Sequence, residues 1–299
     1  MRARRRGTAT PERVAIVLSG GGNLGALQVG MLRALLERGI RPDLVVGCSV
    51  GAVNGAALAA DPTLRGVAHL EELWRRVADF RVMPPSRLPS PLQMARRGTA
   101  IHRNDGLRRL LEHGLLVPTF EQLRVPFTCV ATDVDTAEEA WFERGSLVDA
   151  ILASAALPAV FPPMVIDGRR YLDGGVVNDV PITRAVERGA TRLYVLQTGV
   201  PEIPPTNPRR PFDVAVWAYW LARRNRLSRD LAALPPEVTY TLLVPPGRPR
   251  MRFDDFSRSE ELVAQGHEAA VALLEGQEHL GSRSDVVSAI PGSEAVESA

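Results

Sequence analysis

Twice within its first sixty residues the chain passes from a short, unbroken apolar run into a helix-like stretch, and each passage is built from glycine and serine. Val14-Ala15-Ile16-Val17-Leu18 breaks at Ser19 to Gly22, and Ala26–Arg38 follows with Leu27, Met31, Leu32, Leu35 and Leu36 at helical spacing, closed by Gly39. Leu44-Val45-Val46 then leads through Gly47-Cys48-Ser49-Val50-Gly51 into a second helix-like stretch, Val50–Ala60. Runs that are apolar at every position mark strands buried on both faces. Strands alternating with helices predict a parallel α/β sheet.

The remaining pattern extends this scheme. Helices are predicted over Leu64–Val77, over Leu107–His113 with Asp105 as its cap, and over Ser146–Ala156, which ends before Pro158. Val125–Thr132 and Ala140-Trp141-Phe142 read as strands. Met164–Ile166 and Arg169–Leu172 flank Asp167-Gly168, a hairpin signal. Pro181–Arg188, Asp213–Leu234 and Ser257–Leu274 read as helices, and Leu193–Gln197 and Val238–Val244 as strands. Neither repeats nor a linker divide the chain. The expectation is one domain over residues 13–280, between a disordered basic arm (1–12) and a disordered tail (281–299).

At 299 residues with 45% hydrophobic composition, the chain can bury a substantial core. A net charge of +2 supports no nucleic-acid partner. Every basic side chain is arginine, which removes Ser–Lys dyads, Schiff-base chemistry and Walker-type phosphate loops, since each needs a lysine amine. Cys48 and Cys129 sit in apolar segments without metal or disulfide spacing, as in a reduced cytoplasmic protein. The arginine arm lacks the apolar stretch of an export signal, and no run approaches the ~20 residues of a membrane helix.

Strand–Gly-x-Ser-x-Gly–helix is how a hydrolase makes a serine nucleophilic. Ser49 at such a turn takes a strained backbone, and Gly47 and Gly51 leave room for it. The first passage, Gly20-Gly21-Gly22-Asn23-Leu24-Gly25, supplies backbone N–H donors for an oxyanion at the start of a helix. It also fits a dinucleotide fingerprint, but that reading requires an acidic residue at the end of the second strand, where this chain carries Ser49. Two bases are open. His267 would complete a Ser49–Asp173–His267 order, although it falls inside a strongly helical segment rather than on a loop. Asp173, delivered by the hairpin into Gly174-Gly175, is the better base: two glycines allow close approach by the serine turn.

Together these elements resemble the patatin-like phospholipase family, from Val14 to about Ala272. The resemblance rests on Gly20–Gly25, Gly47–Gly51, Ser154-Ala155-Ala156-Leu157-Pro158-Ala159-Val160-Phe161-Pro162-Pro163, Asp173-Gly174-Gly175, and the late Phe256–Leu262 segment. It implies a three-layer α/β/α fold with a mainly parallel central sheet. It further implies a Ser49–Asp173 dyad without histidine, an oxyanion hole from Gly20, Gly21, Gly22 and Asn23, and hydrolysis of lipid acyl esters. Gly25, Gly47, Gly51, Gly174 and Gly175 support these motifs, and no cofactor or metal is implied. One departure stands out: many members carry Arg or Lys where this chain has Leu24.

Four weaker signals have plainer readings. Cys48, adjacent to Ser49, points to the opposite face and reads as a packing residue. Asp133-Val134-Asp135 reads as a turn rather than a cation site. Trp217, Tyr219 and Trp220 with Arg223, Arg224 and Arg226 suit burial against the sheet, and also suit peripheral docking at the inner membrane face. The Arg81–Gly98 loop reads equally as a lid over an acyl groove and as a solvated connection. The function expected is a cytoplasmic serine acyl hydrolase acting on a lipid or other acyl ester. The alternatives are a transacylase using the same acyl-enzyme and a non-catalytic lipid-binding module.

Overall fold

The two opening apolar runs form strands β1 (Val14–Leu18) and β2 (Leu44–Cys48), side by side and parallel. Asp43 fixes their register: its carboxylate accepts the Val14 N–H at 2.8 Å and its own N–H donates to the Val14 carbonyl at 2.8 Å. β3 (Phe127–Asp133) continues the sheet in parallel, whereas β4 (Glu139–Phe142) and the hairpin β5 (Met164–Ile166) and β6 (Arg169–Asp173) run antiparallel. β7 (Arg192–Leu196) and β8 (Thr239–Leu243) extend the parallel part on the far side of β1. The order is β5-β6-β3-β2-β1-β7-β8, with β4 also paired to β3. This computed structural model describes residues 12–83, 100–199, 211–245, 247, 251–252 and 254–279. The basic arm up to residue 11, most of the Arg81–Gly98 loop, the tail 281–299 and the side chains of Trp217, Tyr219 and Trp220 lie outside the described residues.

Alternation along each strand sorts side chains into two cores. Ile16, Leu18, Val45 and Leu196 face a layer made of α1 (Gly25–Glu37), α2 (Val50–Ala60), α3 (Leu64–Arg75), α4 (Asp105–Gly114) and α5 (Leu147–Ser154). Ala15, Val17, Val46 and Val195 face the opposite layer, with α6 (Ile182–Glu187) and Leu227 of α7 (Pro211–Ala232). The architecture is three-layer α/β/α. α2 is buried along its whole length, and its Gly and Ala content lets it lie directly over the sheet.

Most element boundaries agree with the sequence pattern to within a few residues. Asp105 differs in role: Asn104 holds the N-cap position and Asp105 is the first helical residue, where its charge still favours the helix dipole. The last helix, α8 (Ser259–His279), starts later and runs further than expected. Its start is displaced because the Asp255 carboxylate accepts both the N–H and the hydroxyl of Ser257, which holds that residue in a turn.

α8 lies on α1, the helix that follows the glycine loop. At Gly30 an added Cβ would meet the Val263 carbonyl oxygen and the His267 nitrogen, and at Gly266 it would meet the Leu27 backbone. The two helices therefore touch backbone to backbone. Gly30→Ala should push them apart and destabilise the protein by about 1–3 kcal/mol. A urea midpoint lowered at unchanged slope would register that loss, and an unshifted midpoint would contradict the contact.

Candidate active site

β2 ends at Cys48, and the chain turns into α2 at Ser49 with φ 54° and ψ −121°. That backbone costs an L-residue about 1–3 kcal/mol and must be held by its surroundings. The turn is possible only with glycines on either side. A Cβ on Gly47 would enter the backbone of Gly51 and Ala52, and one on Gly51 would enter the Leu18 and Ser19 carbonyls. The Ser49 N–H donates to Ser154 Oγ at 2.9 Å, and the Ser49 carbonyl accepts from Ala52 and Val53 to start α2.

The sheet register brings Asp173 to this turn. On β3, Val130 pairs with Cys48 and with Trp141, while Ala131 pairs with Asp173 and with Ala140. A backbone position has one neighbour on each side, so β4 fills one edge of β3, and β2 and β6 follow one another along the other. Asp173 thus comes one β3 position beyond Cys48, beside Ser49. The hairpin that delivers it turns through Asp167 and Gly168, with φ 50° and 78°, the left-handed pair of a two-residue type I′ connection.

The Ser49 hydroxyl donates to Asp173 Oδ2 at 2.6 Å, and Asp173 Oδ1 accepts the Gly175 N–H at 2.7 Å. Its main chain is held as well: the N–H donates to the Ala156 carbonyl and the carbonyl accepts from Thr132 Oγ1. Burial pushes the Asp173 carboxyl up to about 6 from its ordinary 3.8. The hydrogen bonds from Ser49 and Gly175 and the charge of Arg223 oppose that rise, and the charge of Asp179 adds to it. At neutral pH Asp173 is an ionised carboxylate whose one oxygen already points at the serine proton.

The glycine loop runs between the ends of β2 and β7. The Gly20 carbonyl accepts from Ser19 Oγ at 3.0 Å and from Thr198 Oγ1 at 2.6 Å, which turns it toward the end of β7. In a planar trans peptide the N–H of the next residue points the opposite way. The Gly21 N–H therefore points away from the Thr198 hydroxyl at the end of β7. No side chain fits at Gly21, where a Cβ would strike Thr198. Gly20, expected among the oxyanion donors, departs from that expectation: its N–H is spent on the Asp179 carbonyl at 3.2 Å. The Asn23 side chain braces the loop: its buried amide donates to the carbonyls of Arg252 (2.8 Å) and Asp255 (2.7 Å).

Four residues hold the site through contacts that the sequence pattern does not assign. Ser154, in the run Ser154–Pro163, holds the elbow by its hydroxyl. Gln28 and Asn54 form a buried bridge: Gln28 donates to the Ser19 and Leu196 carbonyls, and Asn54 donates to Gln28 and the Gly25 carbonyl while accepting from Trp74 Nε1. Arg223 of α7 pairs with Asp179 beside Gly20. By contrast, His267 lies between α8 and α1, with Nε2 2.6 Å from Glu37 Oε2. Cys48 is fully buried, and burial together with Asp173 and Asp179 holds its thiol well above the ordinary range. The Asp133 carboxylate accepts the N–H groups of Asp135 and Thr136, a turn as expected.

Ser49, Asp173 and Gly20–Gly22 open into a cavity of about 330 Å³. Its apolar wall comes from α3, α4 and the adjoining segments, through Leu73, Trp74, Leu107, Leu110 and Phe256. Such a chamber, with a proton acceptor on a hydroxyl and amides beside it, can transfer an acyl group from an ester with a long apolar chain.

Comparison with known proteins agrees in kind. The sequence pattern of the patatin-like phospholipase family matches residues 16–186. An uncharacterized NTE family protein of Mycobacterium tuberculosis is 33% identical over 229 residues, which are 77% of this chain and 59% of that protein. Lysophospholipase NTE1 of Mycosarcoma maydis is 27% identical over 88% of this chain and 15% of its own length. The chain thus spans about three-fifths of the mycobacterial relative and a small part of the fungal one. Among solved structures, VipD from Legionella pneumophila overlaps 89% of this chain and 67% of its own, with 16% identity and a TM-score of 0.47.

The raised Asp173 carboxyl has a thermodynamic signature. The folded protein holds that proton more tightly than the unfolded chain, so the associated stability is full below pH 3.8 and is lost as pH rises through about 6. Asp173→Asn removes this dependence. The variant should gain on the parent by on the order of 3 kcal/mol between pH 3.5 and pH 7.5. Urea titrations of both proteins at the two pH values measure that difference, and parallel pH profiles would refute it.

Proposed function

The chain belongs to the patatin-like phospholipase family, and from that premise we propose that it is a serine hydrolase of lipid acyl esters working through a Ser49–Asp173 dyad. The observation that carries the reading is the 2.6 Å hydrogen bond from Ser49 Oγ to Asp173 Oδ2, made inside an apolar cavity without any intervening histidine.

As Ser49 Oγ attacks the ester carbonyl carbon, its proton passes to Asp173 Oδ2 and the carbonyl oxygen becomes an oxyanion. A carboxylate raised to about 6 is a stronger base than an ordinary one, which narrows the gap to the serine hydroxyl. The Gly21 and Gly22 amides are assigned to the oxyanion, each contributing about 3–4 kcal/mol in comparable sites. Asp173 returns the proton to the departing alcohol, leaving the acyl group on Ser49. A water molecule then gives its proton to Asp173 and attacks the acyl carbon, and the free acid leaves as Ser49 recovers its proton. Among the described residues no helix is long and apolar enough to cross a membrane.

A fluorophosphonate probe should label Ser49 and fail on Ser49→Ala; a correctly folded parent that resists the probe would sink the proposal. Asp173→Asn should lower kcat by about 10²–10⁴-fold, while His267→Ala leaves turnover intact. A dead, folded His267→Ala would restore the histidine reading. In the parent, kcat/KM should fall as pH drops through about 6, because protonated Asp173 can no longer accept the serine proton.

A further inference from the structure

Resting on the acyl-hydrolase reading, we propose that Gln28, Asn54 and Trp74 are positioning residues: a buried bridge that clasps the glycine loop at both ends and sets its amides against the nucleophile's helix. Each comes from a different helix, Gln28 from α1, Asn54 from α2 and Trp74 from α3. Gln28 and Asn54 are completely buried, and Trp74 is buried in the wall of the cavity.

The bonds run in one direction. Trp74 Nε1 donates to Asn54 Oδ1 at 2.9 Å, and Asn54 Nδ2 donates to the Gly25 carbonyl at 2.9 Å and to Gln28 Oε1 at 3.0 Å. Gln28 Nε2 then donates to the carbonyls of Ser19 at 2.9 Å and Leu196 at 3.1 Å. An indole has one N–H and a side-chain amide two, so every donor in the bridge is used. Turning either amide over would set oxygen against oxygen, which leaves one orientation for both. A buried network satisfied in this way is rigid and holds what it touches in one arrangement.

What it touches is the glycine loop. Ser19 stands directly before Gly20, and Gly25 closes the motif, so the bridge grips the two residues that flank Gly20–Leu24. The Leu196 carbonyl also accepts the Ser19 N–H at 3.1 Å, which ties the root of the loop to β7. Asn54 lies on α2, the helix that begins directly after Ser49. The bridge thereby fixes the loop relative to the nucleophile, although neither Gln28 nor Asn54 lines the cavity. Trp74 does line it. A Cβ on Gly25 would lie 2.9 Å from Trp74 Cζ2, so the indole packs directly on the end of the loop. Its ring also lies 6.4 Å, centroid to centroid, from Phe256, next to the Asp255 carbonyl that takes the Asn23 amide. One indole thus belongs both to the acyl wall and to the support of the loop.

The test separates holding the oxyanion from holding the chain. An alkyl trifluoromethyl ketone takes Ser49 Oγ reversibly: the C–O bond forms, the serine proton passes to Asp173 Oδ2, and the carbonyl oxygen becomes an oxyanion, as in ester attack. The alcohol made by reducing that ketone has the same chain and does not add to Ser49. Affinities for both are measured on the full-length parent, Gln28→Met, Asn54→Leu and Trp74→Phe. Gln28→Met and Asn54→Leu should weaken the ketone about 10- to 100-fold relative to the alcohol, with kcat falling alike and KM nearly constant. Trp74→Phe keeps an aromatic wall and removes one N–H, and should lose about 3- to 10-fold in the same ratio. A purely structural bridge would lower the urea midpoint and leave the ketone-to-alcohol ratio of the folded protein unchanged; that result overturns the proposal. Should Gln28→Met or Asn54→Leu fail to fold, the ratio for Trp74→Phe decides. If the parent shows neither turnover nor tighter binding of the ketone, the hydrolase reading fails. The clasp is then judged by hydrogen exchange of the Leu24 and Gly25 amides, which bond to the Gly21 and Gly22 carbonyls inside the loop. Faster exchange in the variants supports it, and equal protection overturns it.

Discussion

Everything at the site depends on one edge of one strand. β3 pairs with β2 until Cys48, and from the next position it pairs with β6, so two segments more than a hundred residues apart in sequence arrive consecutively on the same backbone. The serine turn closes one and Asp173 closes the other. The 2.6 Å hydrogen bond between them is a consequence of register, because a slip by one residue on β6 would send the carboxylate to the opposite face. Backbone pairing on a buried sheet is a rigid way to set the distance between two side chains. It leaves the two side chains little to search for.

Rigidity comes with a cost in polar burial that the fold meets group by group. Asp173 is buried and ionisable, and its environment stabilises the charge only in part. Around it, Ser154, Thr132, Thr198, Gln28 and Asn54 take up main-chain donors and acceptors that the strained elbow and the glycine loop leave open. The same bonds orient peptides. Gly20 turns its carbonyl to Thr198, and the next amide in the loop points away from that hydroxyl. Site geometry and hydrogen-bond satisfaction are here one set of contacts.

The parts legible in the sequence were those written locally. Unbroken apolar runs gave the buried strands, Asp167-Gly168 gave its two-residue turn, and the flanking glycines marked the strained Ser49. Asp173 was legible because two glycines and a hairpin led to it. Long-range partners were not legible. Ser154 opens a run that the sequence singles out, yet nothing in it ties that hydroxyl to the Ser49 N–H, and nothing near Arg223 points to Asp179, forty-odd residues earlier. Gly20 illustrates the limit most sharply: a run of glycines suggests equivalent donors, and only the fold shows that the first is bound by a carbonyl from another segment. The antiparallel hairpin was readable, but its place on β3 was set by pairings that no local pattern encodes.

The brace from Asn23 has a consequence for how the protein comes into being. Its side-chain amide, next to the three glycines, is fastened to the carbonyls of Arg252 and Asp255. During synthesis the glycine loop emerges 229 residues ahead of the first of these carbonyls. A ribosome-bound fragment carrying both Ser49 and Asp173 still lacks the anchor for the loop beside them. Order of translation thus leaves the loop beside Ser49 and Asp173 unfastened until the Arg252–Asp255 segment has been made.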